Sequence, residues 1–371
     1  MIIKWIMTAV VLCSSLCWGQ ARYKISLVKA QPELSVPTIV AQNGVVYAAY
    51  RSFDLLHRSE QLQVAAYDLV SHKQLRHATI SVPKVHGTRA SEALALSNDG
   101  EMLAYVETGA PSLVLLISAK DLSEKRRLGT LPYQEKHDRY EAGPSHFYGF
   151  DSENNLCFQS STSTVPRFVR ASSSDLRVVS DTEASFLGRK IWTIMNWNTR
   201  TKRFWLESDE KQYQEDGKPS GEELSTLIPE LNKGAYSLSK GGLLGFYAMV
   251  SRGAVVRYEA HRNQMLELPC SPSPYGISSN GEYAGVVCIT QPGGLPEAGG
   301  DRVLTSEFLL IKSSGPTIIW REELARLGAG DQDYYRWSSS SIEADAEKTW
   351  VVTPMKSPEL AVYEIAITGT E

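Results

Sequence analysis

Leu94–Val106, LALSNDGEMLAYV, decides how the rest of the chain is read. Two alternating apolar runs, Leu94–Leu96 and Met102–Val106, flank Asn98-Asp99-Gly100. Asn, Asp and Gly tolerate positive φ, so the stretch reads as a tight β-hairpin. Leu113–Ser118 (LVLLIS) follows as a third strand and Lys125–Leu131 as a fourth.

The same unit returns along the chain. Its hairpin turns fall near residues 44, 100, 154, 200, 241, 281 and 346, a spacing of roughly 40–65 residues, and units of that period are read as stacked four-stranded blades. The first unit runs from Thr38 to Ile80. It has a turn at Asn43-Gly44, a polar loop at Arg51–Gln61 and a third strand, Leu62–Leu69 (LQVAAYDL). The sixth has its turn at Asn280-Gly281, with a helical turn expected at Glu322–Leu327. The seventh shows three strands, ending in Leu360–Ile367. A lone strand, Tyr23–Val28, precedes all the hairpins. Joining the seventh unit would give it a fourth strand and remove an open edge. The expected fold is therefore all-β: a seven-bladed β-propeller of four-stranded antiparallel blades, closed by the N-terminal strand. Six or eight blades are the alternatives.

With these residues in view, the chain resembles bacterial β-propellers of the WD-repeat-like or TolB-type class. The resemblance rests on Asn98-Asp99-Gly100, Asn280-Gly281 and the third strands LQVAAYDL, LVLLIS and LAVYEI. It spans essentially the whole chain after the first 21 residues. The Gly-His and terminal Trp-Asp pairs of true WD repeats are absent. The resemblance implies a disc with a central channel, whose loops at one mouth bind peptides, proteins or small ligands.

The remaining composition sets bounds. The chain has 371 residues, 42% hydrophobic and 22% charged, with a net charge of −4. That is ordinary globular composition, without the basic stripe of a nucleic-acid binder. Residues 1–21 read as a secretory signal: Lys4, an apolar run from Trp5 to Leu16, and small residues at Gly19-Gln20-Ala21. Cleavage after Ala21 is favoured over Gly19, and a buried N-terminal helix is the alternative. The leucines before Cys13 and Cys17 do not fit a lipobox. The expected mature protein is secreted or periplasmic, with no membrane span and one domain, 22–371. A hydrophilic loop and helix insertion is expected at about 208–234, its helix at Gly221–Leu231.

Of five cysteines, Cys157, Cys270 and Cys288 lie beyond the signal. Cys270 and Cys288 form a disulfide if their strands adjoin; the alternative is three buried thiols.

Enzymatic signatures are missing. No Gly-x-Ser-x-Gly elbow, His-Glu-x-x-His or Walker loop occurs. No cofactor or metal is expected. Glu92, Glu141 and Glu183 fall near blade entries, where a metal-dependent propeller enzyme of the lactonase kind places its carboxylates; solvated loop carboxylates are the alternative and commoner reading. By the resemblance, residues leading into each blade's first strand line the channel mouth. They supply the candidate binding set Arg89, Glu92, His146, Tyr275, Arg336 and Trp337. Arg, His, Tyr and Trp suit anchoring by stacking and charge-assisted hydrogen bonds. The competing reading places the aromatics between blades as core and the charges in inter-blade pairs. The functional expectation is a module binding a protein, peptide or small ligand. A propeller lactonase or lyase, and a structural subunit of an envelope complex, are the alternatives.

Overall fold

The computed structural model describes residues 21–31, 35–83, 91–108, 112–128, 144–151, 153–161, 166–183, 194–198, 203–206, 211–214, 219–223, 246–249, 254–259, 262–267, 271–277, 283–290, 304–312, 317–327, 336–343, 348–356 and 358–366. Among them, 27 strands form antiparallel sheets in chain order. β1 is Ala21–Ser26. The first sheet holds β2 (Thr38–Gln42), β3 (Val45–Asp54), β4 (Ser59–Asp68) and β5 (Lys73–Ser81). The second holds β6 (Ser91–Leu96), β7 (Met102–Thr108), β8 (Leu113–Ser118) and β9 (Glu124–Leu128). The third holds β10 (Pro144–Phe150), β11 (Leu156–Ser161), β12 (Pro166–Ala171) and β13 (Val178–Glu183). The fourth holds β14 (Ile194–Asn198), β15 (Arg203–Leu206), β16 (Lys211–Gln214) and β17 (Pro219–Glu223).

In the fifth sheet β18 (Phe246–Met249), β19 (Ala254–Glu259) and β20 (Arg262–Glu267) are described. The sixth has β21 (Ser271–Ile277), β22 (Tyr283–Thr290), β23 (Leu304–Lys312) and β24 (Thr317–Leu327). A 3-10 turn at Trp337–Ser339 leads into β25 (Ser341–Glu343), β26 (Lys348–Pro354) and β27 (Glu359–Ala366). β1 pairs with β27, from Ala21 opposite Glu364 to Ser26 opposite Glu359, and completes this last sheet.

The core lies in the seams between sheets. A strand's side chains alternate between its two faces. Leu62, Val64 and Ala66 of β4 pack with Leu103, Tyr105, Leu113 and Leu115 of the second sheet. Ala65 and Tyr67, which alternate with them, pack with Val352, Leu360 and Val362 of the last sheet. Both faces are buried, which is why LVLLIS of β8 is apolar at nearly every position. Further seams join the second sheet to the third and the sixth to the last. In the latter, a Cβ at Gly285 would lie 2.7 Å from Ile342 Cγ2 and 2.9 Å from Phe308. Glycine is needed there for space.

The turns repeat their chemistry. Asn43 and Gly44 have φ of 54° and 71°, as a two-residue hairpin with the strands' own twist requires. Turns of adjacent sheets are tied together. The Gly44 N–H donates to Glu343 Oε2 at 3.0 Å and the Ala41 N–H to Ser341 Oγ at 2.9 Å. The Asn98 N–H donates to Asn154 Oδ1 at 2.9 Å, and Asn154 Nδ2 returns a bond to Asp99 Oδ2 at 2.6 Å.

Three local expectations need correction. Lys211–Gln214 and Pro219–Glu223, expected within an insertion at 208–234, are the outer two strands of the fourth sheet. Glu322–Leu327, expected as a helical turn, extends β24. Leu324 and Ala325 of that segment are buried in the seam with the last sheet, so packing overrides helix-forming composition. Arg51–Gln61, expected as a polar loop, is mostly strand, with a short turn at Leu55–Arg58. The proposed signal segment up to Gln20, the turn at Asn280-Gly281 and residues 224–245 lie outside the described residues.

Candidate functional site

Each sheet is an up-and-down meander, so its loops divide between two ends. One end carries the turns between first and second strands and between third and fourth. The other carries the second-to-third turns, such as Leu55–Arg58, and the points where the chain enters each first strand. First strands of neighbouring sheets lie against one another: β2 with β6, β6 with β10, β18 with β21, β21 with β25, and β25 with β2. They are the inner strands. Glu92 sits at the entry of β6 and Arg336 and Trp337 lead into β25, whereas Tyr275 is the fifth residue of β21, toward its far end.

Glu92 is second in β6 and half-buried, opposite Glu107 of β7. His146 lies in β10 opposite Gln159, and Tyr275 in β21 opposite Val286. Arg336 precedes the 3-10 turn, half-buried, and its N–H donates to Pro354 O at 2.9 Å. Trp337 follows and is 4% exposed. Its ring lies 5.9 Å from that of Tyr363 and packs among Phe308, Leu310, Val351 and Met355. It fills the seam between sixth and last sheets, as bulky aromatics between sheets do. Arg89 and Glu141 lie outside the described residues. Glu183 ends β13, the outermost strand of its sheet, whereas Glu92 begins an inner strand. The fold does not bring these two carboxylates together. Among the described residues no group of three His, Cys, Asp or Glu is placed to hold a metal.

Cys288 of β22 is fully buried and disulfide-bonded, and Cys157 is a buried free thiol. Cys270 lies outside the described residues, immediately before β21, which pairs with β22.

Sequence reasoning missed a charged cluster at the entry end of the seam between first and second sheets. Arg51 of β3 is 1% exposed. Its Nε and Nη2 donate to the two carboxylate oxygens of Glu107, each at 2.6 Å. Its Nη1 donates to Glu60 Oε2 at 2.6 Å and to Pro83 O at 3.0 Å. The Tyr105 hydroxyl donates to Glu107 Oε1 at 2.6 Å. Burial opposes the charge on Arg51. The Glu107 hydrogen bonds and the nearby Glu107, Tyr105 and Glu60 outweigh it and raise the guanidinium's pKa. Burial, then the charges of Glu92 and Glu107, push the Tyr105 phenol well above its ordinary value, so it stays a donor. This cluster binds two sheets together from inside.

On the surface of the same end, Leu55 and Leu56 are 78% and 90% exposed. Asp54 holds their turn: Oδ1 accepts from the Leu56 and His57 N–H groups at 2.9 and 3.2 Å, and Oδ2 meets His57 Nδ1 at 2.8 Å. With Phe53, Lys29, Ala30 and Gln31 the two leucines line a cleft of about 430 Å³.

No protein-family model matches this chain, and no curated protein does. Solved structures do match. A chain of a structure titled "Crystal Structure of Mitotic Checkpoint Complex" is 9% identical, with 92% of this chain and 94% of that chain covered and a TM-score of 0.51. BamB from Moraxella catarrhalis is 9% identical over 92% of this chain and 97% of its own, with a TM-score of 0.44. The β-propeller domain of Myceliophteria thermophila Cps50 (Swd1) is 10% identical over 92% and 99%, with a TM-score of 0.39. The fold is a β-propeller. At such identities the likeness concerns the fold, which hosts many unrelated functions.

Proposed function

We propose that this chain is an exported, seven-bladed β-propeller, closed by β1, that binds a protein or peptide partner at the entry end of its inner strands. Support for the ring comes from the last sheet. β1 completes it, and Glu343 and Ser341 tie it to the first sheet at Gly44 and Ala41. Support for export comes from the signal-like segment before Arg22. Within the sixth blade, Cys288 pairs with Cys270 across the β21–β22 hairpin.

The observation that carries the binding reading is the Leu55-Leu56 turn. Two adjacent leucines, almost wholly exposed and held by Asp54, give an apolar foothold that is already ordered. Fixing a contact loop beforehand lowers the entropy cost of association. Arg89, Glu92, His146 and Arg336 supply the polar part of the surface, and Trp337 supports it from the seam beneath.

The test is site-specific photocrosslinking in the native envelope fraction, with the probe at Leu56 or at Arg336. One partner captured from both positions, and lost in Leu55→Ser/Leu56→Ser and in Arg89→Ala/Arg336→Ala, supports the reading. Absence of capture from wild type, or capture indifferent to both variants, rejects it.

A further inference from the structure

At the opposite end of the first and second sheets the seam opens into a separate cleft of about 480 Å³. Its walls are Tyr47 of β3 and Arg76 of β5 on one side. On the other are Gly100–Met102 and Ser118–Lys120, with Lys125 of β9 at the edge. Three cationic side chains therefore face one carboxylate, Glu101.

Arg76 is half-buried and only partly used. Its Nη1 donates to the Lys120 carbonyl at 2.9 Å, which fixes the guanidinium across the seam. Its Nε–H is shielded from solvent and has no acceptor among the described residues. A buried donor without an acceptor is unusual in a folded protein. Lys125 leans on Asp121 at 3.7 Å, with both side chains about half exposed, an ion pair weak enough to be exchanged.

We infer that this cleft binds a phosphomonoester, with its dianionic head on Arg76, Lys120 and Lys125. Arg76 lines the cleft, and a guanidinium is the side chain best suited to a phosphate oxyanion. Within the lining Glu101 leaves an excess of two positive charges, with Asp121 beside Lys125 just outside it; a dianion takes up both charges by displacing Asp121 from Lys125. Tyr47 and Met102 give the ester's organic part an apolar wall.

The experiment titrates the purified chain with phenyl phosphate and with phenylacetate at constant ionic strength, followed by calorimetry. A parallel arm sediments the protein with vesicles carrying phosphatidic acid, whose headgroup is the same chemical group. The inference expects saturable binding in at least one phosphate arm and at least tenfold weaker binding of phenylacetate. Binding in solution assigns a soluble ester, and binding to vesicles alone assigns the lipid. Arg76→Gln should weaken binding at least tenfold, and Lys120→Gln/Lys125→Gln several-fold. Both lysines are exposed, so the double variant serves if Arg76→Gln does not fold. No saturable binding in either arm, equal binding of phenylacetate, or variants that bind like wild type would overturn the assignment.

Discussion

Arg51 of β3 and Glu107 of β7 meet through two parallel 2.6 Å hydrogen bonds inside a seam where neither is more than 2% exposed. A charge taken out of water is costly unless paired, and this one is paired twice, with Glu60 taking the third contact. The pair links two sheets that are otherwise held mainly by apolar packing.

Removing one partner should therefore cost more than the pair contributes. Glu107→Gln is expected to destabilise the protein by about 3–5 kcal/mol, because Arg51 stays buried with its principal counter-charge gone. Replacing the cluster together, as Arg51→Met/Glu60→Gln/Glu107→Gln, should recover more than half of that loss. Urea denaturation of the three proteins measures both effects. A triple variant less stable than the single one would contradict the account.

β1 should be needed for the last sheet. Tyr23 stacks on His72 of the first sheet, with ring centroids 3.7 Å apart, and its hydroxyl donates to Leu69 O at 2.9 Å. One side chain of β1 thus grips a neighbouring sheet while its backbone pairs with β27. Tyr23→Ala is expected to cost about 2–4 kcal/mol, near the lower part of the range for a large aromatic truncation. Tyr23→Phe should cost about 1 kcal/mol, the net worth of one hydrogen bond. Thermal melts of both variants check the order.

Acid should loosen the second sheet's turn. The Ser97 hydroxyl and the Glu101 N–H bond the Asp99 carboxylate and hold its pKa below the ordinary carboxylate value. Above about pH 3.9, the usual pKa of an aspartate, the carboxylate is ionised in both folded and unfolded chains and its contribution is complete. As pH falls from there through the lower folded-state pKa, the unfolded chain takes up the proton first and the contribution disappears. Asp99→Asn should be less stable than wild type at pH 5–7, and the gap should close below about pH 3.9. Parallel denaturation curves across that range decide the matter; a gap independent of pH would assign the effect to shape alone.

The sequence made the blade pattern legible wherever local chemistry and tertiary role agree. Asn43-Gly44 sits at positive φ because the hairpin demands it, and LVLLIS is apolar throughout because both its faces are buried. Reading failed where the two diverge. KQYQ and PSGEE carry no apolar alternation, yet they are strands, at the outer side of a sheet where one apolar face is not required. Arg51, Ser52 and Glu60 look like loop residues, yet they are buried strand positions whose polarity is met by one another and by Glu107 and Gln63. No periodicity shows that charges far apart in sequence will meet. The entry residues of the inner strands were legible as positions, since turn spacing locates them. Their roles were not: Trp337 and Arg336 are adjacent in sequence, but one fills a seam and the other remains half-exposed, a difference set by the 3-10 turn that begins at Trp337.

The partnership of β1 with β27 also constrains the order in which the chain folds. Arg22 finds its place only beside Tyr363, so β1 stays unpaired until β27 is in place. Seams between the first and second and the second and third sheets form from segments close together in the chain. The final sheet carries the entropy of closing nearly the whole chain into one loop, a term that grows only slowly with length but is met in a single step. Before β27 pairs, the chain carries its folded earlier sheets and an unclaimed strand, open to pairing with a neighbour. The time before β27 takes up β1 is therefore an interval in which this protein is exposed to aggregation at that edge.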